Sequence, residues 1–142
     1  MIKRQSSAVW KGDLKDGKGT VTVGDGVYTG RYSFSSRFEE GQGTNPEELI
    51  AAAHAACFSM ALSADLSKAG YEVEEVRTEA VVSLDKVDGG FKIESSKLIT
   101  HARVPGISMD EFAKFASAAK QNCPVSKALG AIDLQLEAHL LQ

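Results

Sequence analysis

The amino-acid sequence predicts an α+β fold in which a mainly antiparallel sheet surrounds one long, buried helix. Three features predict this class: two glycine-containing hairpin turns, a long segment without a polar face, and a strictly alternating C-terminal segment. The predicted order is β-hairpin, long helix, β-hairpin, helix, strand. Because the chain has 142 residues, 43% of them hydrophobic and 25% charged, residues 1–142 are expected to form a single domain.

The first hairpin is predicted near the N-terminus. β-forming residues at positions 19–23 and 27–34 flank Gly24-Asp25-Gly26, a strong hairpin signal. Val9 and Trp10 are assigned to an earlier strand, and residues 39–43 to a polar loop. This part of the chain is therefore expected to contribute only strands and turns.

The long helix is predicted to run from Pro46 to about Lys68, with Gly70 as its C-cap. Asn45 suits the N-cap, and acidic residues follow in the first turn. Nearly every position from 49 to 62 is apolar or small, which is typical of a helix buried on all sides. The helix is therefore expected to be covered by a sheet or by a second copy of itself.

The C-terminal half repeats the change from strand to helix. Residues 73–87 and 91–104 alternate around Asp88-Gly89-Gly90, and a capping box at residues 108–111 opens a second helix. Pro124 interrupts that helix and begins a short helical turn. Apolar residues at alternating positions from 132 to 140 predict a final half-buried strand.

Composition excludes several classes of function. The chain has 16 basic and 19 acidic residues and a net charge of -3, so a nucleic-acid-binding face has little support. No run approaches the roughly 18 consecutive apolar residues of a membrane span, and residues 1–7 lack the apolar stretch of a signal peptide. A cytoplasmic protein is expected, in which two cysteines are thiols with chemistry rather than a structural bridge.

The two cysteines are the main candidates for chemistry. Cys57 lies in the predicted long helix among apolar neighbours, where burial alone would leave it protonated and inert, so a reactive Cys57 needs a cationic or hydrogen-bonding partner. Cys123 lies at the N-terminus of the predicted short turn, which favours a thiolate. On local electrostatics Cys123 is thus the better acidic thiol, and simple core packing remains an alternative for both.

Two charged residues could supply the missing partner. Arg37 lies between the strands and the long helix, and Glu47 lies in the first turn of that helix. Glu47 and Cys57 are ten positions apart, about 15 Å along the axis, so direct contact is not expected. An arginine that bridges the helix start and the thiol is geometrically more plausible. Glu48 is interpreted as a capping acid.

Five segments together resemble the OsmC/Ohr family, and several resemble its OsmC branch in particular. They are residues 10–13, 17–21, 37–62, 82–87 and 122–126. The matches occur in the expected order along nearly the whole chain. This resemblance is more specific than a single cysteine motif.

The resemblance implies an intertwined homodimer and a thiol-dependent peroxidase for organic hydroperoxides, with hydrogen peroxide as a poorer substrate. By position, Cys57 matches the peroxidatic cysteine, Cys123 the resolving cysteine, Arg37 the arginine that holds the thiolate, and Glu47 the glutamate that orients that arginine. No cofactor or metal is implied beyond an external dithiol reductant, which in the family can be a protein-bound lipoyl group. A hydroperoxide and a second copy of the chain are the implied partners, without nucleic acid or membrane.

Two alternatives from other functional classes remain. His54 and Cys57 are three residues apart on one predicted helix, and Cys123, His101 or His139 could complete a zinc site with them. Alternatively, the chain forms a non-catalytic dimer in which both cysteines are packing residues. The first predicts bound zinc with unreactive thiols, and the second predicts thiols that survive treatment with a hydroperoxide.

Overall fold

A computed structural model describes residues 1–142, which divide into two compact units, Met1–Leu49 and Ile50–Gln142. The first contains β1 (Ser6–Lys11), β2 (Lys18–Val23), β3 (Tyr28–Tyr32), α1 (Phe34–Phe38) and the start of α2 (Pro46–Lys68). The second contains the rest of α2, then β4 (Glu75–Val87), β5 (Gly90–Arg103), α3 (Met109–Asn122), α4 (Pro124–Ala128) and β6 (Asp133–Leu141). The α+β class is therefore confirmed, with two three-stranded sheets.

The first unit is an antiparallel sheet in the order β1-β2-β3, followed by a helix that the sequence did not predict. Residues 34–38 were assigned to a strand end and the connection after it, but they form α1. Ser33 and Ser36 build a reciprocal capping box: the Ser36 backbone N–H donates to Ser33 Oγ, and the Ser33 backbone N–H donates to Ser36 Oγ. Capping satisfies enough backbone groups to hold five residues in a helix too short to show periodicity.

The predicted start and end of α2 are confirmed. Asn45 Oδ1 accepts the Glu48 backbone N–H at 2.8 Å, and Gly70 follows the helix with a φ of +97°. Gly43 lies in the connection before the helix with a φ of +120°, and a Cβ there would lie 2.6 Å from the Arg31 carbonyl oxygen. Only glycine allows this approach, which sets where the first turn of α2 begins.

The second unit is a sheet in the order β4-β5-β6. The hairpin β4–β5 is antiparallel, as expected, whereas β6 pairs with β5 in parallel. A parallel partner requires a crossover connection, and α3 and α4 supply it. Ser108 caps α3 by accepting the Glu111 backbone N–H, which confirms the predicted helix start.

The core of the second unit lies between α2, α3 and β5. Its fully buried side chains are Phe58, Leu62, Leu66, Leu98, Ala102, Phe112, Ala116 and Ala119. Beyond Glu47 in the first turn, α2 buries one residue in every four, at His54, Phe58, Leu62 and Leu66. The opposite face leaves Ala52, Ala53, Ala56, Met60 and Ala64 exposed. The expected burial on all sides is therefore not met inside one chain.

By length and composition alone, α2 could also cross a membrane. Core helices of soluble proteins have the same length and composition, so this feature is weak evidence for a span.

Candidate active site

Arg37 and Glu47 form a two-point ion pair in the first unit. Arg37 Nε donates to Glu47 Oε1 at 2.9 Å, and Nη2 donates to Oε2 at 3.1 Å. The Glu47 side chain is 9% exposed and that of Arg37 35%. This fork geometry fixes the plane of the guanidinium, and Nη1 is the nitrogen that the pair leaves for another acceptor.

Local structure positions both members of this pair. Arg37 is on α1, and its guanidinium lies over the Phe38 ring, 5.2 Å from the centroid. Asn45 ties the start of α2 to α1, because its side-chain amide donates to the Ser36 carbonyl oxygen at 2.9 Å. The arginine and the glutamate are therefore held by two capped helix ends that hydrogen-bond to each other.

A cavity of about 230 Å³ adjoins Arg37 in the same unit. Its walls are mostly apolar and aromatic, with Trp10, Leu14, Tyr32, Ser33, Phe34 and Phe38 beside the arginine. Such a cavity can accept an apolar group next to a cation.

In the second unit, the thiols of Cys57 on α2 and Cys123 before α4 are neighbours, and both are free. Burial raises the pKa of Cys57, the backbone N–H of Val125 opposes that rise, and the neighbouring Cys123 thiol adds to it. The structure thus brings together two cysteines that are distant in sequence. In this environment Cys57 is a protonated thiol unless a cation reaches it.

Cys123 is the N-cap of α4, as its position before Pro124 predicted. Its Sγ accepts the Ser126 backbone N–H at 3.3 Å, and its thiol donates to Ser126 Oγ at 3.1 Å. Cys123 is 1% exposed. Its sulfur is therefore held in a fixed position by α4, while its proton points to a hydroxyl.

A buried histidine extends this contact. His54 Nε2 lies 2.8 Å from Ser126 Oγ, and Nδ1 lies 2.7 Å from Ser96 Oγ on β5. His54 and Ser96 are completely buried, Ser126 is 2% exposed, and burial lowers the pKa of His54. A continuous chain of neutral polar groups thus runs from the sheet to Cys123.

This arrangement argues against the zinc alternative. Both ring nitrogens of His54 are engaged by serine hydroxyls, so neither is directed at Cys57 or Cys123 as a shared ligand. His101 and His139, the other proposed ligands, stack on each other 4.6 Å apart at their ring centroids. No group of three or more potential metal-binding side chains occurs in the chain.

The four predicted site residues therefore form two pairs, Arg37 with Glu47 and Cys57 with Cys123. The pairs lie in different units, and their meeting remains a prediction. Sequence reasoning missed Ser126, although its spacing of three from the helix cap Cys123 is that of a capping box. It also missed Ser96, which no sequence signal connects to the site.

Comparison with known proteins agrees with the sequence resemblance. A family profile described as "OsmC-like protein" matches residues 39–137. Peroxiredoxin OsmC of Escherichia coli (strain K12) is 50% identical over 141 residues, which cover 96% of this chain and 99% of that protein. The chain belongs to the OsmC family.

Other OsmC-family relatives support the same assignment. Organic hydroperoxide resistance protein OhrB of Bacillus subtilis is 34% identical over 122 residues, covering 84% of this chain and 88% of that protein. Its crystal structure matches 94% of this chain and 97% of its own with a TM-score of 0.74. A second solved structure is that of an organic hydroperoxide resistance protein OsmC from Legionella pneumophila, which is 28% identical in sequence. The match covers 98% of this chain and 99% of that chain, with a TM-score of 0.75. The OsmC fold therefore extends over both units.

Proposed function

We propose that this chain is a two-cysteine peroxidase of the peroxiredoxin type that reduces organic hydroperoxides in defence against oxidative stress. The observation that carries the proposal is the pair of neighbouring free thiols, Cys57 and Cys123, in an OsmC-family chain. The names of the relatives, peroxiredoxin and organic hydroperoxide resistance protein, support the reaction and the substrate class.

In the first step, the Cys57 thiolate attacks the distal oxygen of the hydroperoxide. The oxygen–oxygen bond breaks, Cys57 becomes a sulfenic acid, and the alkoxide takes up a proton and leaves as an alcohol. The peroxide is reduced and the sulfur is oxidised by two electrons. Because the thiolate is the nucleophile, this step requires a group that offsets the effect of burial on the pKa of Cys57.

Arg37 is the proposed source of that stabilisation. Arginine supplies a cation with a planar fork, and the fork of Arg37 holds Glu47 while Nη1 stays available for the sulfur. Glu47 would then be a positioning residue that keeps the guanidinium in one orientation. The proposal requires the Arg37–Glu47 pair to reach Cys57 of the same chain or of a second copy.

The cavity beside Arg37 supports an organic substrate. Its volume of about 230 Å³ and its aromatic walls suit an alkyl or aryl group, while the guanidinium can face the polar peroxide end. Hydrogen peroxide would leave this apolar space unfilled. It is therefore the poorer substrate.

In the second step, the Cys123 thiol condenses with the Cys57 sulfenic acid. The sulfur–sulfur bond forms, the sulfur–oxygen bond breaks, and one water leaves. An external dithiol then reduces the disulfide by exchange and becomes a disulfide itself. A protein-bound lipoyl group is the proposed dithiol, and the reaction requires neither a metal nor a resident cofactor.

We further propose that the working form is a cytoplasmic homodimer in which each chain contributes one OsmC-like domain. The exposed apolar face of α2 supports this proposal, since Met60 is 75% exposed and small residues surround it. An open groove of about 470 Å³ beside this face, between α2 and the start of β4, could take part of a second copy. Met60→Glu should shift the mass measured by light scattering from dimer to monomer, whereas a wild-type monomer would contradict the dimer.

The peroxidase proposal is tested by counting thiols. Reduced protein is treated with one equivalent of cumene hydroperoxide, and the remaining thiols are alkylated and counted by mass spectrometry. Loss of two thiols per chain is expected, with a Cys57–Cys123 disulfide. Unchanged thiols in the wild-type protein would instead favour the packing alternative.

Single cysteine variants assign the roles. Cys57→Ser should consume no peroxide, because no nucleophile remains. Cys123→Ser should consume one equivalent and stop at a sulfenic acid that dimedone traps on Cys57, and it should overoxidise more readily. A dimedone adduct found first on Cys123 in the wild-type protein would reverse the two roles.

A further inference from the structure

We propose that Ser126 and His54 form a proton relay that activates Cys123 for disulfide formation. The inference rests on the proposed peroxidase function and adds residues to its second step. Ser126 contacts the reacting sulfur, whereas His54 acts through Ser126 as a positioning residue and proton acceptor.

The relay is a line of short contacts from Cys123 to the sheet. Cys123 Sγ is 3.1 Å from Ser126 Oγ, and that oxygen is 2.8 Å from His54 Nε2. On the far side, His54 Nδ1 is 2.7 Å from Ser96 Oγ. His54 on α2 thus contacts one serine of α4 and one serine of β5.

The Cys123 thiol is a hydrogen-bond donor, and this fixes the donor and acceptor roles of the other relay groups. Because the Cys123 thiol donates to Ser126 Oγ, the Ser126 hydroxyl is free to donate its own proton to His54 Nε2. The neutral ring then carries its proton on Nδ1 and donates it to Ser96 Oγ. Each group donates in the same sense, away from the thiol.

The environment keeps the histidine in the form that the relay needs. Burial lowers the pKa of His54, so the resting ring is neutral and its Nε2 can accept a proton. No buried side-chain nitrogen or oxygen in the chain lacks a hydrogen-bond partner, so the relay groups are oriented by one another.

During resolution, the Cys123 proton moves to Ser126 as the Ser126 proton moves to His54. The Cys123 sulfur attacks the Cys57 sulfur, and the sulfur–oxygen bond of the sulfenic acid breaks. The departing hydroxide takes up one proton from solvent and leaves as water, and His54 gives its extra proton back to solvent after the disulfide has formed. Charge and protons therefore balance, and the only oxidant is the sulfenic acid formed from the hydroperoxide. The Ser126 backbone N–H donates to Cys123 Sγ and stabilises that sulfur while it is deprotonated.

The test separates the two steps in a single turnover. Reduced protein is mixed with one equivalent of cumene hydroperoxide in a quenched-flow instrument, and peroxide, Cys57 sulfenic acid and disulfide are followed over time. Ser126→Ala and His54→Gln should each slow disulfide formation by about a hundredfold, the scale of general acid–base catalysis, and accumulate sulfenic acid. The rate of peroxide consumption should stay unchanged, because the hydrogen-bond partners of Cys57 are Val125 and Cys123 and include neither Ser126 nor His54.

Ser59→Ala is the matched control. Ser59 is on the same helix as His54, and its hydroxyl donates to Thr78 Oγ1 at 2.8 Å outside the relay. This variant should leave both rates at the wild-type value. Disulfide formation at the wild-type rate in Ser126→Ala and His54→Gln would overturn the relay.

A spectroscopic test needs no variant. Nitrogen chemical shifts of the His54 ring in the reduced wild-type protein should report a neutral ring with its proton on Nδ1. A proton on Nε2, or a charged ring near pH 7, would overturn the proposed direction. A wild-type protein that loses no thiol to the hydroperoxide would overturn the peroxidase proposal instead, so the two failures are distinguishable.

Discussion

The Arg37–Glu47 pair and the His54 network solve the same problem, the placement of polar groups in an apolar protein, in opposite ways. The first uses full charges and leaves its arginine 35% exposed. The second is almost completely buried and contains only neutral groups, because a buried charge without a partner is costly. The buried carboxylate of Glu47 is thus paired with a partly exposed cation, whereas the groups of the buried network are uncharged and pair with one another.

The two regions also differ in how the chain assembles them. Arg37 and Glu47 are ten residues apart, whereas His54 is 42 residues from Ser96 and 72 from Ser126. Local caps suffice to build the ion pair. The network exists only after the helix, the sheet and the short α4 turn have packed together.

The largest effect is expected from removing the charge. Arg37→Ala should lower the rate of peroxide consumption about a hundredfold, as loss of one donor to a developing anion typically does. The variant loses the proposed stabilisation of the Cys57 thiolate, while burial still raises the pKa of Cys57. The pH dependence of iodoacetamide alkylation of Cys57, measured in the Cys123→Ser background, checks the cause.

Arg37→Lys is the matched control, because it keeps the charge and loses the planar fork. It should fall between the wild type and Arg37→Ala in both measurements. An unchanged alkylation profile in Arg37→Ala would mean that the charged pair and the thiols never meet.

A smaller effect is expected from loosening the arginine. Glu47→Gln keeps the size of the side chain but replaces one charge-assisted acceptor by an N–H donor, so the guanidinium loses its fixed orientation. Peroxide consumption should fall roughly tenfold, about the worth of one hydrogen bond to a charged group. Stopped-flow kinetics with cumene hydroperoxide measures it, and a rate as low as that of Arg37→Ala would give Glu47 a role beyond positioning.

The smallest effect concerns stability rather than rate. Burial lowers the pKa of His54 below its ordinary value of 6.5, so the unfolded chain binds more protons as pH falls below 6.5. As the pH falls below 6.5, this histidine therefore lowers the free energy of unfolding by at most about 1.4 kcal/mol per pH unit. Above pH 6.5 it has no effect on the free energy of unfolding.

Urea denaturation at several pH values, compared with His54→Gln, isolates this contribution. The variant should lose the part of the pH dependence of the unfolding free energy that comes from His54. Equal slopes would mean that His54 is protonated in the folded protein, contrary to the neutral network.

Much of the fold was predictable because its signals are local. Asn45 and Pro46 marked the start of α2, Ser108 marked the start of α3, and the glycine turns separated the hairpin strands. The helix α1 was not predicted, since five residues carry no periodicity and only the reciprocal bonds of Ser33 and Ser36 reveal it. The parallel pairing of β6 was also missed, because alternation gives a strand its faces but not its direction.

The sequence by itself determined every element except α1, the family, the two cysteines and the residues able to carry charge, since caps, turns and motifs act between near neighbours. Only the tertiary structure decided which groups face one another. It placed Cys57 beside Cys123, turned both nitrogens of His54 toward serines, and left the apolar face of α2 uncovered. Those contacts depend on packing between distant segments, and packing selects partners by shape and hydrogen bonding that no single segment contains.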